Sequence, residues 1–100
     1  MAKRVMKEGM PEYDVFMAVW NLWKNYGTPE ESDKYWDDLI EASAKVATDK
    51  RFADCMDLAS ELSKAICNTL DARAAGIKKY GDDKHGFQIL LERDKERNNG

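Results

Sequence analysis

The stretch from Tyr13 to Tyr26 reads YDVFMAVWNLWKNY. At 3.6 residues per turn it winds into a helix on which Val15, Phe16, Val19, Trp20, Leu22, Trp23 and Tyr26 cover well over half the circumference. Asp14, Asn21 and Asn25 crowd into a narrow polar strip, with Lys24 to one side. A surface helix normally carries an apolar stripe of about 100° or slightly more. This helix therefore calls for cover on two sides, from its own chain, a second copy or a partner. Pro11 suits a first helical turn, Glu12 and Asp14 favour the positive end of the dipole, and Gly27 is expected as a left-handed cap.

Outward from this helix, Thr28-Pro29-Glu30-Glu31 forms a start signal, with Thr28 as N-cap and Glu31 completing a capping box. Ser32 is the competing cap. A second helix continues to about residue 48, with Tyr35, Trp36, Leu39, Ile40, Ala42, Val46 and Ala47 on one face. Asp49 can cap a third helix over 50–80, about 45 Å long at 1.5 Å per residue. Phe52, Cys55, Met56, Ala59, Leu62, Ile66, Leu70, Ala74 and Ile77 form its stripe, a kink is expected near 68–72, and Gly81 stops it. Beyond GDDKHG (81–86), the apolar run 87–91 fits a short helix or a strand, followed by a frayed end.

The spacing predicts an all-α fold: a three-helix bundle (short, short, long) with a short C-terminal segment packed on it. Residues 1–9 are expected as a flexible basic arm carrying Lys3, Arg4 and Lys7, residues 10–81 as the bundle, and 82–100 as linker, apolar segment and tail. The chain has 100 residues, 43% of them hydrophobic and 35% charged, with a net charge of −3. That composition suits one small domain and argues against a basic nucleic-acid binder. Cys55 and Cys67, twelve residues apart on one predicted helix, are too distant for a disulfide within it, and are read as reduced thiols of a cytoplasmic protein. No apolar run is long enough to span a membrane, and no signal-peptide core follows Lys3-Arg4.

Catalytic signals are lacking. Ser43, Ser60 and Ser63 fall mid-helix without a nearby histidine base, and His85 is the sole histidine. No phosphate-binding glycine loop and no HxxxH, CxxC or EF-hand spacing occurs, so neither metal nor cofactor is expected. The acids of the second helix face outward, unlike those of a di-iron bundle.

Interaction is the expected function, without catalysis. Trp20, Trp23 and Trp36 suggest an aromatic cluster shared by the first two helices. Trp20 and Trp36 are placed in the core, while Trp23 suits core and interface equally. The long third helix leaves its stripe from Ile66 onward without obvious cover. Phe16, Trp20, Trp23, Tyr26, Ile66, Leu70 and Ile77 are thus the candidate interaction residues, for a protein partner or a homodimer. The alternative is that the first helix sits centrally and 87–91 cover the rest. A second candidate surface is acidic. Residues 11–48 hold eight acids against three lysines, and Glu30, Glu31, Asp33, Asp37, Asp38 and Glu41 could imitate phosphate spacing in a basic groove. That would suit an inhibitor of a nucleic-acid enzyme, of the anti-CRISPR or anti-restriction kind. A solvated helix face is the plainer reading.

The run D-x-F-x3-W-x3-K-x-Y (Asp14, Phe16, Trp20, Lys24, Tyr26), followed by D-x-Y-W (Asp33, Tyr35, Trp36), resembles small helical proteins of unknown function carried by phages and integrative elements of Gram-positive bacteria. The resemblance covers about residues 12–65 and implies a mobile-element accessory protein with no catalytic residues to carry over.

Overall fold

The computed structural model describes residues 9–99, all of whose regular elements are helical. The basic arm expected over residues 1–9 lies outside them except for Gly9. Four α-helices follow in order: α1 (Pro11–Tyr26), α2 (Asp33–Ala47), α3 (Met56–Tyr80) and α4 (Gly86–Asn99). Short 3-10 segments, Lys50–Cys55 and Asp83–His85, precede α3 and α4. The all-α bundle with a C-terminal segment packed on it is the fold observed.

α1 has the expected limits, but Gly27 is not a left-handed cap. Its φ of −64° is right-handed. A glycine is needed there for space, because an added Cβ would lie 2.5 Å from the Trp23 carbonyl oxygen. The second helix starts later than the Thr28 signal suggests. Ser32 is its N-cap, accepting the Tyr35 N–H at 3.2 Å, and the 28–31 segment stays in the loop. Asp49 caps as expected, accepting the Arg51 N–H at 2.9 Å.

The expected helix over 50–80 is broken. Phe52 (φ −102°, ψ 19°) and Cys55 (φ −141°, ψ 37°) leave helical geometry, and α3 proper begins at Met56. The break shifts the phase of the stripe: Phe52 and Cys55 turn inward while Met56 remains 45% exposed. No kink occurs at 68–72; α3 runs unbroken to Gly81, whose φ of 90° and N–H···O bond to Ile77 (2.8 Å) close it. The 87–91 run is helical, and the tail expected to fray remains in α4 to Asn99.

Two buried clusters hold the bundle. Val15, Phe52, Cys55 and Ala59 join α1 to the start of α3. Tyr35, Leu39 and Leu70 join α2 to the middle of α3, with Trp23, Tyr26, Trp36, Ile66 and Cys67 packed around them. The stripe beyond Ile66 is therefore largely covered, and Leu70 is fully buried rather than open to a partner. α3 is central because it has a second inward face of small residues. Ala72 and Gly76 are buried there, and the backbone of His85 lies 3.2 Å from where a Gly76 Cβ would be.

Candidate functional site

α1 is two-faced. Val15 and Leu22 are buried against the bundle, whereas Tyr13, Phe16, Met17 and Trp20 recur at i, i+3, i+4 and i+7 on the opposite side. Phe16 is 56% and Trp20 54% exposed, so Trp20 is an outer residue and not the core filler expected of it. The remaining candidates divide. Trp23 and Tyr26 are half-buried at the C-terminal end of α1, and Ile66 and Ile77 are half-buried on α3. Of the seven candidate interaction residues, only Phe16 and Trp20 stand together in the open. Met17 and Tyr13 complete their stripe. The 3.6-residue period places Tyr13 and Met17 beside Phe16 and Trp20, but it does not say which face of α1 turns inward.

The aromatic cluster that does form excludes Trp20. Tyr26 and Tyr35 meet edge-on with centroids 5.9 Å apart, and Tyr35 meets Trp36 at 4.9 Å. The Tyr35 hydroxyl donates to the Tyr26 carbonyl at 2.5 Å, and burial pushes its phenol above the ordinary value. These contacts anchor the loop between α1 and α2. Beside them the Arg73 guanidinium stacks on Trp23, 4.7 Å from the ring centroid.

The six acids differ in their pairing. Asp38 is held by Lys34 at 2.7 Å and Glu41 by Lys45 at 3.6 Å, both within one turn of α2. Glu30, Glu31, Asp33 and Asp37 are exposed and make no ion pair among the described residues.

Ser43 and Ser63 are occupied as helix-interior hydroxyls. Ser63 donates to the Ala59 carbonyl (2.7 Å) and Ser43 to that of Ile40 (3.0 Å). Cys67 donates to the Ser43 hydroxyl at 3.4 Å. His85 is half-buried at the α3–α4 junction. There its Nδ1 lies 2.8 Å from Asp82 and its ring stacks on Tyr80 at 4.6 Å. Among the described residues, no three histidine, cysteine or acidic side chains gather as a metal site, and no helix is long and apolar enough to cross a membrane.

α4 presents apolar surface that the sequence reading assigned to cover. Ile89 is buried against the bundle, but Phe87 is 72% exposed and Leu90 and Leu91 are also open. Comparison of the chain with protein-family models, curated proteins and solved structures finds no match.

Proposed function

We propose that this protein is a non-enzymatic helical interaction module that docks an apolar protein surface, of a partner or of a second copy, on the outer face of α1. The observation that carries the reading is the exposure of Phe16 and Trp20, flanked by Tyr13 and Met17 on one helix face. Contiguous apolar surface of this kind marks interaction sites on small proteins, and Trp is a favoured anchor within them. The resemblance of the α1–α2 pattern to mobile-element proteins supports a role as a cytoplasmic accessory protein of a phage or related element.

The test places a photo-crosslinking p-benzoylphenylalanine at Phe16 and, as control, at the exposed Lys50. Crosslinking to one defined protein or to a second copy is expected from position 16 and not from position 50, and Trp20→Ala should abolish it. Equal yields at both positions would refute the assignment.

A second reading rests on Glu30, Glu31, Asp33 and Asp37, the four carboxylates of this set that make no ion pair among the described residues. They would offer negative charge to the basic groove of a nucleic-acid enzyme. Charge reversal of Asp33 and Asp37 should remove binding in that case. It should leave docking through α1 intact.

A further inference from the structure

Arg73 is a half-buried cation that stacks on an aromatic ring without a charged partner among the described residues. It lies on α3, half-buried, and lines an open cleft of 580 Å³ together with Trp23, Lys24, Glu30, Tyr35 and Asp83. Its guanidinium sits 4.7 Å over the Trp23 ring. Its stem is held from the other side by the start of α4, where a Cβ added to Gly86 would come within 3.0 Å of Arg73 Cγ. Yet the guanidinium makes no hydrogen bond or ion pair among the described residues, although two carboxylates line the same cleft. Elsewhere on the surface Arg51 and Arg93 do pair, with Asp49 at 2.9 Å and Asp71 at 3.0 Å.

Stacking occupies the flat face of a guanidinium and leaves the N–H groups of its edge available. That edge matches the two oxygens of a carboxylate. We propose that the cleft between Trp23 and Asp83 binds a carboxylate-bearing ligand, a small organic acid or a peptide C-terminus, on the edge of Arg73. Lys24 and Arg73 balance Glu30 and Asp83, so the cleft is formally neutral and offers no surplus positive charge to offset the larger desolvation cost of a dianionic phosphate, which favours a monoanionic carboxylate. The Tyr35 hydroxyl is already committed to the Tyr26 carbonyl, and among the remaining donors of the cleft, Lys24, Asn25, Thr28 and Arg73, Arg73 alone presents a planar fork. The volume lies within the range of small-ligand sites. The site is independent of the α1 outer face: neither Phe16 nor Trp20 lines it.

The test titrates the full chain with N-acetylglycine, with N-acetylglycinamide and with inorganic phosphate, following the Trp23 indole N–H and the Arg73 Nε–H by NMR. N-acetylglycine should shift both signals saturably, the uncharged amide should not, and phosphate should bind more weakly. Arg73→Gln should weaken binding about tenfold or more, as loss of a charge-assisted bidentate pair does. Arg73→Lys keeps the charge but loses the fork, and should weaken it as well. Glu30→Gln removes a repelling carboxylate and should tighten it, which a purely structural Arg73 would not produce. The proposal is overturned if the Trp23 and Arg73 signals show no saturable shift, if phosphate binds more tightly than the carboxylate, or if Glu30→Gln leaves affinity unchanged. The Glu30 variant keeps the test decisive should the Arg73 variants fail to fold.

Discussion

Phe52 and Trp20 are both large aromatic residues in contrasting surroundings. Phe52 is wholly buried at the break before α3, and Trp20 is 54% exposed on the outside of α1. Phe52→Ala should cost about 3–5 kcal/mol of stability through lost burial and the cavity left behind. Trp20→Ala should stay within about 0.5 kcal/mol, as surface substitutions usually do. Urea unfolding of the two variants checks this, and a cost for Trp20→Ala approaching that of Phe52→Ala would place Trp20 in the core after all. Leu70→Ala belongs with Phe52, at about 2–5 kcal/mol, because Leu70 closes the cluster with Tyr35 and Leu39. Gly27→Ala should destabilise by about 1–3 kcal/mol, since the new methyl meets a backbone carbonyl and not a mobile side chain. Sequence alone marked Gly27 as special but for the wrong reason. Its role is set by the Trp23 carbonyl one turn earlier, which the right-handed turn at Gly27 brings close to where a side chain would start.

At the scale of elements, the joint between α3 and α4 is held by polar contacts. Glu92 of α4 accepts from the Tyr80 hydroxyl at 2.6 Å and from Lys79 at 3.0 Å. The hydrogen bond from Tyr80, followed by that from Lys79, holds the Glu92 carboxyl below its usual range. Asp82 is lowered as well, chiefly by the Lys84 backbone N–H and then by His85. A carboxylate depressed in the folded state stabilises it above the unfolded pKa, about 4 for these groups. That contribution disappears as pH falls through the folded value. Acidification below about pH 4 should therefore loosen α4 before the rest of the bundle. Amide exchange of α4 against α2 would show it, and Tyr80→Phe should move the loosening to higher pH. Identical acid profiles for the two helices would contradict this account. Lys79 is raised by the same pair, so its share is fully present below the ordinary lysine pKa and is lost only as pH rises through the raised value. At this scale the sequence marked the stop at Gly81 and the cap at Asp49 because both are local devices. It did not reveal the break at Cys55, where packing of Phe52 under α1 overrides a continuous helical pattern.

For the whole molecule, the apolar face of α1 and the acidic face of α2 make opposite predictions about salt. Association through Phe16 and Trp20 should persist at high ionic strength, whereas docking through exposed carboxylates should weaken as charge is screened. Absolute mass by light scattering at low and high salt, for the wild type and Trp20→Ala, separates them. The expected result is any association insensitive to salt and absent in Trp20→Ala; a salt-sensitive one would favour the α2 carboxylates. The helical class, the limits of α1, the caps at Asp49 and Gly81 and the acidity of α2 were legible in the order of residues. All of them depend on neighbours within a few positions along the chain. Which face of α1 turned inward was not legible, because apolar side chains lie nearly all round it and periodicity cannot rank them. The covering of Leu70, the close approach of the Asp83–His85 segment to Gly76, and the stacking of Arg73 on Trp23 were likewise decided only in three dimensions. Each joins residues far apart in the chain, and small side chains leave no hydrophobic signal of the close approach they permit.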